Sequence, residues 1–356
     1  MNKAALILIA LTVLIGLSCG KRRAPSPPKE RVQQRAVISG FQRGSEVILS
    51  WQMPARDAAD TSLLNIDRID VYRLAEPLTA PQAMSEEDFA SRSLIIAGIP
   101  VKETDFGMKQ MTYRDELRFA GQPVRLRYAV RFVNKFGQKA QFSNFFMMEP
   151  AARVATAPTS LTATLSQERV ALTWTPPTAN VDASTPPNIL GYNIYRSASP
   201  TAAATKLNPQ PVIDTQYADR TFQFETEYFY FVRALSLGTD GNPVESLESN
   251  IITLKPVDTF PPSPPSSITI AATPTSISLF FPANPEDDVV GYKIYRSTDP
   301  DLPPSQWEPM TVEPQEETTY RDDRVESGKR YHYYITAIDR FGNVSNPSDV
   351  VNEIVP

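Results

Sequence analysis

The stretch Gly291-Tyr292-Lys293-Ile294-Tyr295-Arg296-Ser297 returns almost unchanged as Gly191-Tyr192-Asn193-Ile194-Tyr195-Arg196-Ser197, and in altered form as Arg68-Ile69-Asp70-Val71-Tyr72-Arg73. Other segments recur in step. Trp51, Trp174 and Phe281 each close an alternating run upstream of it, and Thr112-Tyr113-Arg114-Asp115, Tyr217-Ala218-Asp219 and Thr319-Tyr320-Arg321-Asp322 follow downstream. A pattern repeating about every hundred residues implies three copies of one domain-sized unit, each able to bury its own core. The predicted organisation is copy one at 36–153 with an insertion at 74–111, copy two at 154–257 and copy three at 258–356, after an N-terminal region of different character.

Within a copy the apolar residues alternate. In copy two, Leu161–Leu165, Val170–Trp174, Gly191–Arg196, Tyr217–Asp219, Glu227–Ala234 and Ser249–Leu254 read as strands, separated by turn clusters such as Thr175-Pro176-Pro177. Period two with frequent turns predicts an all-β, two-sheet sandwich. Copy three repeats these landmarks, with Tyr331–Ala337 as its long strand, and Val124–Phe132 is the long strand of copy one. The 33 prolines of the chain fit short strands and leave little room for long helices.

Copy one departs in its middle. Between Arg73 and Thr112 lie 38 residues, where copy two has 19 between Arg196 and Gln216. A connection that long carries structure of its own or a function. Ser85-Glu86-Glu87-Asp88 places a hydroxyl three residues before an acid, which predicts a helix start there.

The N-terminus is built differently. Met1-Asn2-Lys3 precedes an apolar run from Ala4 to Leu17, then Ser18-Cys19-Gly20. That run is too short to span a bilayer comfortably and reads as an export signal over 1–18. Cys19 is the single cysteine, so it has no partner within the chain for a disulfide. From Lys21 to Arg35 the chain is basic and carries Pro25, Pro27 and Pro28, as suits a tether over 19–35 lying against anionic headgroups. Residues 1–35 hold seven basic side chains against Glu30 alone, so the net charge of −5 leaves the rest strongly acidic. A body of that sign argues against nucleic acid as a partner.

Two resemblances follow. The Ser18-Cys19-Gly20 end of the signal resembles that of bacterial lipoproteins, with Gly16 standing where that family favours leucine. The resemblance implies a diacylglycerol and acyl lipid on Cys19, anchorage to the cell envelope, and, with Gly20 after the cysteine, the outer membrane where the host has one. The copies resemble fibronectin type III domains, as found in bacterial extracellular proteins. The residues that carry it are Trp51 and Trp174, the Gly-Tyr-x-Ile-Tyr-Arg strand, and Tyr228 and Tyr331, placed like that family's corner tyrosine. Phe281 replaces the tryptophan in copy three and Leu126 the corner tyrosine in copy one. This likeness implies three tandem immunoglobulin-like sandwiches without catalytic activity.

Residue chemistry agrees with that expectation. There is one histidine, His332, which alternation between Tyr331 and Tyr333 sends to the outer side of its sheet. With Cys19 used elsewhere, Cys/His metal sites and nucleophiles are lacking, and the acidic runs Glu286-Asp287-Asp288 and Asp322-Asp323 lack the ligand spacing of a calcium loop. No metal and no cofactor besides the lipid is expected. The outward positions are more informative. Tyr195, Phe229 and Phe231 in copy two, Tyr295 and Tyr334 in copy three, and Arg125, Arg127 and Arg131 in copy one all fall there by alternation. Such rows serve either cross-strand pairing or a partner, protein or polysaccharide. The expected function is a non-catalytic envelope lipoprotein that presents or spaces a protein-binding or adhesive surface. The alternatives are a carbohydrate-binding accessory protein and, more weakly, an enzyme with its site in the 74–111 insertion.

Overall fold

The computed structural model describes residues 35–55, 66–107 and 109–356. The export signal, Cys19 and nearly all of the tether lie outside the described residues.

Among the described residues the chain is all-β apart from one short α-helix and two 3-10 turns. Its first strands are β1 (Ile38–Arg43), β2 (Glu46–Gln52) and β3 (Ile66–Pro77), followed by helix α1 (Glu86–Arg92) and β4 (Leu94–Pro100). Then come β5 (Gln110–Glu116), β6 (Val124–Asn134) and β7 (Phe146–Met148). They form two sheets, β1-β2-β5 and β4-β3-β6-β7, with antiparallel pairings throughout. Between them the alternate residues of both sheets meet around Trp51, Ile69, Val71, Leu126, Tyr128 and Val130. Three strands against four, in this order, is the arrangement of a fibronectin type III-like sandwich.

The same order recurs twice. Strands β8 (Thr159–Ser166), β9 (Arg169–Thr175), β10 (Gly191–Ser197), β11 (Thr205–Lys206), β12 (Gln216–Asp219), β13 (Tyr228–Leu237), β14 (Pro243–Glu245) and β15 (Ile252–Leu254) give sheets β12-β9-β8 and β11-β10-β13-β14, with β15 also on β13. Strands β16 (Thr269–Thr273), β17 (Ser276–Phe280), β18 (Val289–Ser297), β19 (Glu308–Pro309), β20 (Thr319–Asp322), β21 (Arg330–Asp339) and β22 (Val351–Ile354) give β16-β17-β20 and β19-β18-β21-β22. By contacts the chain divides into two compact units, one running to 157 with 177–190 and 234–247, the other holding 158–176, 191–233 and 248–356.

The aromatic substitution at Phe281 is conservative in place as well as size. Phe281 meets Tyr292 edge-on at 4.9 Å, as Trp174 meets Tyr192 at 5.3 Å. The corner tyrosines also take their expected bond: the hydroxyl of Tyr228 accepts from the Gln223 N–H at 3.1 Å and that of Tyr331 from the Glu326 N–H at 3.1 Å.

Gly291 opens the repeated stretch. It lies inside β18, and a Cβ there would sit 2.8 Å from Pro314 Cβ, because Tyr292 exchanges backbone hydrogen bonds with Gln315. Gly191 is held in the same way, against Pro211 and Val212. The glycine is kept by close backbone approach.

Candidate functional site

The repeated arginine of the third strand is part of a buried clasp. Arg73 Nη1 donates to both carboxylate oxygens of Asp115 at 2.8 and 2.7 Å, and the Tyr128 hydroxyl donates to Asp115 Oδ2 at 2.7 Å. Copy two repeats this with Arg196 at 2.7 Å and Tyr230 at 2.9 Å from Asp219, and copy three with Arg296 and Tyr333, each 2.8 Å from Asp322. In each copy the aspartate belongs to the three-stranded sheet and its two partners to the other, so the clasp ties the two layers together. Burial raises all three tyrosine pKa values, which keeps them as O–H donors. Burial also works against the Asp219 charge, but hydrogen bonds from Thr221 and Tyr230, with the Arg196 guanidinium, outweigh it and lower the carboxyl pKa. Such a group is a structural anion, unavailable for proton transfer near neutrality.

The outward rows are covered by the chain itself, which corrects the picture of bare faces. In copy one, α1 folds over the outer side of the four-stranded sheet, and Phe89 packs edge-on to Phe142 at 5.1 Å in a second small core with Tyr72, Leu74 and Ala129. Ser85 caps the helix, accepting from the Asp88 N–H at 3.0 Å, as its sequence predicts. Arg125 and Arg127 lie buried beneath the insertion, both 2.9 Å from Glu76 Oε1, and also donate to the Pro81 carbonyl. Two guanidinium groups overcome the burial of Glu76 and lower its pKa. Arg131 lies over the rings of Tyr72 and Phe142. Arg125 and Arg127 form an internal network with Glu76, and half-buried Arg131 packs on the ring cluster, so the row is not an exposed basic ladder.

Copies two and three cover their outer faces with aromatic stacks. Tyr195 and Phe231 stack at 5.1 Å, with the Arg233 guanidinium 4.6 Å from the Tyr195 ring centroid and paired to Glu248 at 2.7 Å. Phe231 is buried, whereas Tyr195 and Phe229 keep partial exposure. In copy three Tyr295 stacks on Tyr334 at 4.7 Å, Trp307 covers Tyr334 at 5.0 Å, and the Tyr334 hydroxyl donates to the Pro304 carbonyl. Burial pushes the Tyr334 pKa up to about 12. His332 does point outward from its sheet, but it is buried rather than solvent-facing, and burial with Arg330 nearby lowers its pKa. Alternation gives the side of a sheet a residue takes; it does not give what lies above it.

Two features of the structure are assembled from residues that no sequence motif brings together. One is a cleft of about 800 Å³ within the first compact unit, lined by Phe41, Arg43, Met147, Glu149, Asn242 and Glu245 among others. Phe41 is 47% exposed there, with the Arg43 guanidinium 5.0 Å from its ring centroid. The other is a group of carboxylates, Asp258, Asp288 and Asp339, whose oxygens lie within 4.8 Å of one another. Burial, together with its two acidic neighbours, raises the Asp288 pKa. These acids are separated by 30 and 51 residues in sequence, so no local motif announces them. Among the described residues no helix is long and apolar enough to cross a membrane.

No family model matches the chain. Over 210 residues, 57% of this chain, the sequence is 27% identical to exoglucanase B of Cellulomonas fimi, and the match spans 17% of that protein. A crystal structure of the FN1–FN3 domains of chicken CNTN1 covers 90% of this chain and 97% of its own at 16% identity, with a TM-score of 0.27 that is too low to bear on the fold.

Proposed function

We propose that the chain is an exported, lipid-anchored, non-catalytic protein in which three fibronectin type III-like sandwiches hold a polysaccharide-contacting surface away from the membrane. The observation that carries the polysaccharide reading is the 27% identity to part of an exoglucanase, which favours it over a purely protein-binding spacer. The Phe41 cleft supplies an exposed aromatic ring amid hydrogen-bonding side chains, the composition that a glucan segment requires. Tyr195 and Phe229 offer a second, shallower aromatic surface. The clasp carboxylates are committed to arginine and tyrosine partners, which supports a scaffold without reaction chemistry.

Retention on insoluble glucan tests the surface. Phe41→Ala is expected to reduce the bound fraction at least tenfold, with the Tyr195→Ala/Phe229→Ala pair affecting it less. A bound fraction unchanged in both variants would assign retention elsewhere and return the outward surfaces to protein partners.

Anchorage has its own test. Acyl chains contribute about 0.8 kcal/mol per buried methylene, so several chains on Cys19 hold where one is marginal. Cys19→Ala should move the protein from the membrane fraction to the soluble fraction. Membrane association that survives this change and still dissolves in detergent would contradict a lipid on Cys19.

A further inference from the structure

We infer that Asp258, Asp288 and Asp339 form a calcium-binding site that fastens the proline-rich junction at 256–265 to the third sandwich. Three observations lead there. The first is geometric. Calcium–oxygen distances of about 2.3–2.6 Å place any two oxygens of one coordination sphere no more than about 5 Å apart, and the three carboxylates offer oxygens within 4.8 Å of each other. All the donors are hard oxygens, which suits calcium over a transition metal.

The second is an orphaned atom. Asp258 is 5% exposed, and its Oδ1 accepts from the Phe260 N–H at 3.0 Å, while Oδ2 is buried with no hydrogen-bond partner. A buried carboxylate oxygen left without a donor is costly unless a cation meets it. Arg340, whose guanidinium lies 4.9 Å from the ring centroid of Phe341, is the cation whose charge acts on Asp288.

The third comes from comparing the copies. Counted from Gly191 and Gly291, Asn188 holds the place of Asp288; counted from Tyr128, Tyr230 and Tyr333, Asn134 and Ser236 hold the place of Asp339. The fold is satisfied without charge at these places. Asn134 Oδ1 accepts from the N–H groups of Phe136 and Gln138 at 3.0 and 2.9 Å, just as Asp339 Oδ1 accepts from Phe341 and Asn343 at 2.8 and 2.9 Å. Asn188 Nδ2 donates to the Arg153 and Leu237 carbonyls, and Ser236 Oγ bridges the Ala155 N–H and the Asn188 carbonyl. Neutral side chains therefore make the turns in the other copies; in copy three Asp339 Oδ2 also accepts from Asn343 Nδ2 at 2.8 Å, and the three carboxylates still bring like charges to close range. A divalent cation accounts for that excess. It would join Asp258 in the junction to the lead-in of β18 at Asp288 and the end of β21 at Asp339.

The test is calcium titration by calorimetry into the full chain in detergent, after removal of metal with EDTA, with melting followed in parallel. One calcium per chain is expected, and a melting temperature higher by about 5 °C at tenfold excess over Kd. Asp258→Asn and Asp288→Asn should each weaken binding at least tenfold, while the exposed Asp301→Asn leaves it unchanged. In EDTA both site variants should melt at or above the native chain, because each removes a like charge. No heat and no melting shift up to about 10 mM calcium, above the range of weak extracellular modules, would overturn the site. So would binding that persists in both variants, or variants that melt well below the native chain in EDTA, since the carboxylates would then serve the fold itself.

Discussion

Replacing Asp219 with alanine should destabilise the second sandwich by about 3–5 kcal/mol, because it leaves a half-buried guanidinium and a buried phenol without their shared acceptor. Asp219 Oδ2 takes both Arg196 and Tyr230, and its Oδ1 takes the N–H and hydroxyl of Thr221 at 2.8 Å each. One small side chain thus satisfies four donors from three segments, and alanine satisfies none of them. Asp115→Ala and Asp322→Ala should act alike in their own copies. A control separates the lost pair from simple loss of charge: Arg196→Met with Asp219→Leu should recover much of the stability, since a hydrophobic replacement of a buried pair is often neutral. The measurement is amide exchange along β13, which reports this sandwich apart from the others. A loss below about 1 kcal/mol, within the range of an exposed pair, would show that the clasp is not needed.

Acid should find the same weakness. The folded pKa of Asp219 is lowered, so its contribution is fully present above the unfolded carboxylate value of about 3.9 and fades as pH falls through the lower, folded value. Exchange protection in β13 should therefore hold from neutrality to about pH 4 and decline below it. Constant protection well below that range would mean that Asp219 is not held as an anion.

Glu76→Ala should be about as costly to the first sandwich, again about 3–5 kcal/mol. Its side chain has no solvent exposure and Arg127 has 1%, so removing the carboxylate strands a buried guanidinium. Arg125 retains the Ala80 and Pro81 carbonyls at 2.7 and 3.1 Å, whereas Arg127 keeps the longer Pro81 contact at 3.3 Å, which makes Arg127 the more damaged partner. This prediction distinguishes two accounts of the arginine row. A binding surface for an acidic partner would let Glu76→Ala fold normally and bind more tightly; an internal network loses the packing of α1 and its ring cluster. Urea unfolding read by exchange in β6 decides between them.

Much of this architecture is legible in residue order alone. Alternation places Tyr192, Ile194, Tyr228, Tyr230 and Val232 inside, where all five are buried. The Ser85 cap signal places α1 to within a residue. The same alternation gives the side taken by His332, Arg125, Arg127 and Phe231 but not their burial, because what covers a sheet's outer face comes from segments with no period of their own. The start of the insertion, with Glu76, Ala80 and Pro81, covers Arg125 and Arg127, and Trp307 in the loop after β18 covers Tyr334. The clasp is half legible: its arginine, aspartate and tyrosine recur in every copy, but only their meeting across two sheets shows that the repetition of the arginine reflects a bond as well as packing. Asp258, Asp288 and Asp339 are hidden for the opposite reason, since they belong to one copy and lie far apart in sequence, in the junction, just before β18 and at the end of β21.

The central claim is that this scaffold contacts polysaccharide without cleaving it. The most direct measurement incubates the full chain with insoluble glucan and follows, in one experiment, both the protein left in the supernatant and the reducing sugar released. Depletion of the protein with no sugar above the blank is the predicted result. Sugar released in proportion to the protein added, or protein left wholly in the supernatant, would contradict it.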